Sequence, residues 1–254
     1  MKKPIVTLSI MILACLTAVC GYSQVTPDTE ISGEGNNIVI HPVYHGTLAI
    51  EWKDITFYVD PHGEAWRFSK IKAPDLIFIT DIHRDHLDPE TLSGLDTDNA
   101  TFVVPQAVAD QLPETYKSKM TVLGNGEEDT ISGIPVKALP MYNIPQNEDP
   151  LHVKGRGNGY VITLDDKRIY VSGDTEDIPE MRALEDIDIA FICMNLPYTM
   201  TVEQAADAVL DFKPKVVYPY HYQGNPDVSD IKKFKKLVKA GDRSIEVRLR
   251  NWYK

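Results

Sequence analysis

Two imidazoles and three carboxylates fall within eight residues at Asp81-Ile82-His83-Arg84-Asp85-His86-Leu87-Asp88. Imidazole nitrogen and carboxylate oxygen are the donors that borderline divalent cations take, and donors this close along one turn can converge on a single ion. A solvated charged turn would hold the same residues and do no chemistry, so the reading depends on what else the chain brings to the place. Three further polar residues stand at the ends of apolar segments: His152 in Asp149-Pro150-Leu151-His152, Asp174 in Ser172-Gly173-Asp174-Thr175, and His221 in Tyr218-Pro219-Tyr220-His221-Tyr222. Taken singly, each reads as a loop histidine or a turn aspartate. A cation held by the whole set would acidify a water and polarise a carbonyl or phosphoryl group, which is hydrolytic chemistry.

The elements that must position these residues are short strands. Leu76-Ile77-Phe78-Ile79 is a continuous apolar run leading into the cluster, the pattern of a strand buried on both faces. Asp88-Pro89-Glu90 then supplies an N-cap, a proline in the first turn and an acid at a helix start, so the cluster sits in a strand-to-helix turn. Strands are expected over 38–40, 47–52 and 55–59, the last two joined by a tight turn at Lys53-Asp54. Others follow at 101–104, 120–123, 134–139, 160–164, 168–171, 187–193, 215–218 and 245–249, with Asp165-Asp166-Lys167 as a second hairpin turn. Helices are expected over 106–111 and 178–184, after the capping box Thr201-Val202-Glu203-Gln204, and after Ser229. That last helix sets Ile231, Phe234, Leu237 and Val238 against a solvated face of Lys232, Lys233, Lys235, Lys236 and Lys239. Such a mixture suggests sheets covered by helices.

With 254 residues, 43% hydrophobic and 25% charged, the chain has the composition of a soluble globular protein. Lys2 and Lys3 precede an apolar run from about Ile5 to Val19 that is too short to span a bilayer, the pattern of a secretory leader cut after Ser23. The expected plan is a signal peptide over 1–23, a flexible lead-in over 24–37 and one domain over 38–254. Cleavage before Cys20 to give a lipoprotein is the rival, and membrane association is expected only in that case. The protein is therefore expected to be exported, to the periplasm or the medium. Loss of the leader leaves Cys193 as the sole thiol, read as a buried hydrophobe. It also takes the net charge from −11 to about −13 by removing Lys2 and Lys3, which argues against nucleic acid as a partner.

The ordered set of Val59-Asp60-Pro61, Thr80-Asp81-Ile82-His83-Arg84-Asp85-His86, Tyr142-Asn143, Gly159-Tyr160, Gly173-Asp174-Thr175 and Pro219-Tyr220-His221-Tyr222 resembles the metallo-β-lactamase superfamily, in the bacterial branch of ascorbate-6-phosphate lactonase-like hydrolases. The resemblance runs from about Ile38 to the end. It implies an αββα sandwich, two mixed β-sheets flanked by helices, with a dinuclear metal site along one edge. It implies that His83 and, in a more variable loop, His152 hold the first ion, that Asp85, His86 and His221 hold the second, and that Asp174 bridges them. Asp85 or Asp174 would orient the attacking water.

This chain carries Asp81 where that motif begins with histidine. Asp81 is therefore either a carboxylate ligand, which adds negative charge and favours harder ions, or a residue behind the ligands. Two divalent ions are expected, zinc foremost, with manganese or iron as alternatives. Substrate contacts are expected from His45 and His62 at the pocket edge, from Tyr142 and Asn143, and from Lys154, Arg156 and Asn158 in the basic loop Lys154-Gly155-Arg156-Gly157-Asn158-Gly159, which could hold a phosphate or carboxylate. The function expected is an exported metal-dependent hydrolase acting on an ester, lactone or phosphodiester of a small molecule. The alternatives are a lipid-directed phosphodiesterase and a non-catalytic binding protein with a degenerate metal site.

Overall fold

Two seven-stranded sheets carry the site, and both are built to one plan. In the computed structural model, which describes residues 25–145 and 150–253, the first sheet runs in chain order through β1 (Asp28–Ile31), β2 (Asn37–Tyr44), β3 (Thr47–Trp52), β4 (Ile55–Val59), β5 (Leu76–Phe78), β6 (Thr101–Val104) and β7 (Met120–Val122). The second runs through β8 (Glu128–Ile131), β9 (Ile134–Met141), β10 (Gly157–Leu164), β11 (Lys167–Val171), β12 (Ile189–Ile192), β13 (Val216–Pro219) and β14 (Glu246–Val247). In each sheet the first four strands form an antiparallel meander and the last four pair in parallel.

The alternation along β5 shows how the layers form. Leu76 and Phe78 enter the main core with residues of the second sheet such as Tyr160 and Ile162, whereas Ile77 joins Leu87, Leu92, Phe102 and Val108 in an outer core. That outer layer holds α1 (Pro89–Ser93) and α2 (Gln106–Ala109). On the other side α3 (Pro179–Arg182), α4 (Val202–Phe212) and α5 (Ile231–Gly241) cover the second sheet, with Ala205, Val209, Phe234 and Val238 in the main core. The result is the αββα sandwich, two mixed sheets between helical layers.

Local signals act as their chemistry dictates. Asp88 caps α1 through the amides of Glu90 and Thr91, and Thr201 with Gln204 closes a capping box on α4. Asp230 rather than Ser229 caps α5, because the Ser229 hydroxyl is turned to the Met194 carbonyl.

The expected lead-in over 24–37 is corrected: Asp28–Ile31 is an edge strand and Asn37 opens β2. Its pattern is inverted relative to an apolar strand, because Asp28 and Glu30 face Arg250 and Arg248 while Ile31 is exposed. The turn after it is tied down as Ser32 and Asn36 donate to Asp165 of the second hairpin, at 2.6 and 2.8 Å. The leader read over 1–23, with Cys15 and Cys20, lies outside the described residues. Among the described residues no helix is long and apolar enough to cross a membrane.

Candidate metal centre

Loops at the same end of both sheets bring the predicted ligands together. The first sheet supplies the turn after β5 with Asp81, His83, Asp85 and His86, and the β2–β3 turn with His45. The second supplies His152 between β9 and β10, Asp174 after β11 and His221 after β13. In each of three groups, one donor atom per residue lies within 4.8 Å of the others: His45, Asp85 and His221; Asp81, His83 and His152; and His86, Asp174 and His221. A dinuclear metal-binding architecture is therefore present, with aspartate in place of the usual first histidine.

The buried polar atoms of the centre are spaced for a metal. Asp174 Oδ2 lies 3.4 Å from His86 Nε2 and 3.4 Å from His152 Nε2, and its Oδ1 lies 3.3 Å from His221 Nε2. Asp85 Oδ2 is 3.3 Å from the same His221 nitrogen. A tetrahedral ion about 2.0–2.1 Å from its nitrogen and oxygen donors holds them about 3.3–3.4 Å apart. His86 Nε2, His221 Nε2 and Asp174 Oδ1 are buried without a hydrogen-bond partner, an expensive arrangement unless a cation joins them. The residues fit the ion.

The electrostatics agree. Burial works to lower the His86 pKa, but Asp174, Asp60 and Asp85 prevail and raise it well above the ordinary value. Burial likewise works to raise Asp174, and the charges of His221 and His86 hold it well below the carboxylate range. The carboxylates surrounding these imidazoles thus call for positive charge.

Each ligand is held from behind. His86 Nδ1 donates to Asp60 Oδ2 at 2.8 Å, which fixes the tautomer and leaves Nε2 for a metal. Asp60, at the end of β4, is itself fixed by the Thr80 amide at 2.7 Å and the Thr80 hydroxyl at 2.6 Å. In the sequence Asp60 stands only within the Val59-Asp60-Pro61 motif, and its role emerges from the pairing of β4 with β5. His45 Nε2 lies 3.2 Å from Asp85 Oδ2, and its Nδ1 lies 3.1 Å from the Tyr253 hydroxyl. Burial, opposed by the Asp85 hydrogen bond, brings the His45 pKa down to about 4. The neutral ring therefore donates to Asp85 and accepts from Tyr253. Its neighbour Gly46 admits the His221 ring, since a Cβ there would stand 2.9 Å from His221 Cδ2. Asn143 holds His152: its side-chain Oδ1 accepts the His152 backbone amide at 2.8 Å, and its backbone amide donates to the His152 carbonyl at 3.0 Å.

The ligands open into a cavity of about 320 Å³ lined also by His45, Leu151, Asn195, Tyr198 and Gln223. Placement differs from expectation for several predicted contacts. His62 pairs with Asp88 at 2.9 Å, and the Tyr142 hydroxyl donates to Glu180 at 2.9 Å. Lys154 reaches that same Glu180 at 2.6 Å. Asn158 is fully buried, donating to the Leu123 carbonyl at 2.8 Å and accepting from Asn125. Arg156 turns onto Asp81, its Nε donating to Oδ1 at 3.0 Å and its Nη2 to Oδ2 at 2.7 Å. The basic loop thus spends its cations on the protein's own carboxylates. Cys193 is buried among apolar side chains, and burial pushes its thiol up to about 12, so it is no nucleophile.

The family model described as Beta-lactamase superfamily domain matches residues 39–221. A UPF0173 metal-dependent hydrolase of Pyrococcus horikoshii is 33% identical over 192 residues, covering 73% of this chain and 83% of the relative. Another, of Staphylococcus carnosus, is 31% identical over 218 residues, 80% of this chain and 94% of the relative. A crystal structure from Parabacteroides distasonis, assigned to a metal-dependent hydrolase, is 36% identical with a TM-score of 0.79, covering 91% of this chain and 100% of that one.

Proposed function

The chain belongs to the β-lactamase superfamily as a metal-dependent hydrolase acting on a small molecule, and from that premise we propose that the bond it cleaves is an uncharged ester or lactone carrying an apolar substituent. The observation that carries this reading is the wall of the cavity. Among the described residues it bears no Lys or Arg, and beyond the histidines and aspartates it consists of Leu151, Asn195, Tyr198 and Gln223. The residues 146–149, Gln-Asn-Glu-Asp, lie outside the described ones and include no Lys or Arg. Leu151 is 49% exposed, and Val153 and Leu196, next in the chain to wall residues His152 and Asn195, are exposed as well. Exposed Leu151 in the wall favours an apolar group, and a phosphate arm would lack the cations that recognise it. This supports the lactone chemistry of the branch that the motifs resemble while disfavouring its phosphorylated substrate.

When bound, a divalent ion supplies Lewis acidity, making a water more acidic and drawing electrons from the scissile carbonyl. Asp85 makes its contacts to His45, His221 and His86 through Oδ2, so Oδ1 is the oxygen left to take a proton from the attacking water and pass it to the leaving oxygen. His45, neutral and anchored on Tyr253, keeps that carboxylate from turning. Asp174, closed between His86, His152 and His221, serves as ligand rather than as base. The proposal includes export, supported by Lys2-Lys3 ahead of the apolar run and by small residues at Gly21 and Ser23. Mass spectrometry of secreted protein should then find Gln24 at the N-terminus.

The test is to measure metal content and then assay aryl esters, lactones and an aryl phosphodiester on one sample. Esters or lactones are expected to be turned over faster at equal concentration; preference for the phosphodiester would sink the reading.

A further inference from the structure

We infer that Arg156 supplies the cation of the Asp81, His83 and His152 group, so that this half of the centre takes a metal only by displacing a guanidinium and the two halves load in separate steps. The inference rests on the metal-hydrolase reading above and goes beyond it.

Asp81 is fully buried, and a buried carboxylate requires a charge partner or a metal. Arg156 is that partner, in the two-pronged geometry that matches guanidinium to carboxylate, at 3.0 and 2.7 Å. The same Nη2 stands 3.4 Å from His83 Nε2, while His83 Nδ1 lies 2.9 Å from Asp81 Oδ2. The guanidinium therefore sits among the carboxylate oxygens and the imidazole nitrogen that an ion would use. The other half has no such occupant: among the described residues the ion-pair contacts of Asp85 and Asp174 are to histidines alone.

Charge explains why the pair is built as it is. Aspartate in place of histidine adds one negative charge to the centre, and Arg156 removes it, so Asp81 with Arg156 is neutral as an imidazole would be. The position of Arg156 is fixed by the backbone. Asn158 donates its amide to the Thr80 carbonyl at 2.9 Å, and a Cβ on Gly157 would meet that same carbonyl oxygen at 2.7 Å. Only glycine lets the chain lie this close to the segment that carries Asp81, and the residue before it then faces the carboxylate.

The test is calorimetric titration of the chelator-stripped full chain with Zn²⁺ alone, with bound metal counted by mass spectrometry. Wild type is expected to show two steps with dissociation constants about 100-fold apart. Arg156→Gln is expected to tighten the weaker step about 10-fold or more, leaving the stronger within about twofold, in the range that groups behind metal ligands command. Asp81→His in the Arg156→Gln background should bring the steps together. Two equal steps in wild type overturn the inference while leaving the metal centre standing, and they do so without any variant. A weaker second step in Arg156→Gln also overturns it, because Arg156 would then support the ion rather than compete with it. Absence of any binding step overturns both this inference and the reading it rests on.

Discussion

In one half of the centre, His86 and His221 turn bare Nε2 atoms toward Asp174 and Asp85; in the other, Asp81 and His83 turn toward the guanidinium of Arg156. Both halves contain carboxylate and imidazole, both are deep, and both draw on both sheets. The difference lies in what satisfies the carboxylate. Asp174 and Asp85 are left to histidines, so their demand for positive charge is open to an ion. Asp81 has its demand met within the chain. Donor types alone therefore do not define a metal site; what matters is whether another cation reaches the donors first.

Asp174 is the residue the two halves share, through His86 and His221 on one side and His152 on the other, so its removal should have the largest effect. Asp174→Ala is expected to lose bound metal from both halves and all measurable ester or lactone turnover. Mass spectrometry of the purified variant beside a kinetic assay decides the matter. Retained turnover without metal would break the comparison altogether, since neither half would then be the reactive centre.

Asp60 separates the halves, because it touches His86 and none of the Asp81 group's ligands among its contacts. Asp60→Ala removes the acceptor of the Thr80 amide and leaves the Thr80 hydroxyl and His86 Nδ1, 3.0 Å apart, only each other to bond, each buried donor left unpaired costing about 1–3 kcal/mol. A lower midpoint in thermal denaturation is expected, together with a loss of about 10–100-fold in affinity at the tighter metal step. Equal weakening of both steps in calorimetry would show that the halves are not independent.

His45 tests the same half from the solvent side. His45→Phe keeps the ring packed on His221, whose centroid lies 4.0 Å away, and on Tyr253 at 5.5 Å, but deletes the donor to Asp85. Metal content should be unchanged while kcat falls about 10-fold. If KM rises instead with kcat intact, His45 contacts substrate and Asp85 needs no help in keeping its orientation.

How much of this was legible beforehand follows from the range of each interaction. The cluster from Asp81 to His86 is local, so spacing alone shows the ligands, and the capping signals at Asp88 and Thr201 act within one turn. The β5 run, buried on both faces, likewise announces itself. Arg156 and Asp81 meet across 75 residues, and nothing in Lys154-Gly155-Arg156-Gly157-Asn158-Gly159 distinguishes a loop that binds substrate from one that binds its own protein. The strand Asp28–Ile31 was hidden for a related reason: its inward residues are acids answered by arginines more than two hundred residues later, so its alternation carries no apolar signal. The neutral wall residues Leu151, Asn195, Tyr198 and Gln223 have no motif at all, because they are defined only by facing the same space.

The smallest effect expected is the one that separates Lys154, unlike its loop neighbour Arg156, from the metal centre. Lys154 pairs with Glu180 at 2.6 Å and stands 4.7 Å over the Tyr142 ring, a solvent-exposed arrangement of the kind that contributes about 0–1 kcal/mol. If the loop's cations serve the protein rather than a ligand, Lys154→Met should leave both metal steps and KM within about twofold and shift the denaturation midpoint by no more than such a surface pair allows. If Lys154 instead swings to hold an anionic substrate, KM should rise about tenfold or more, the loss of a charge-assisted hydrogen bond, and the rise should shrink with added salt. Salt is the discriminating variable because a neutral ester has no charge to screen. A KM that stays flat from low to high ionic strength in both proteins would place the electrostatic work of the site in its two unequal halves, the Arg156 guanidinium included, and none of it in Lys154.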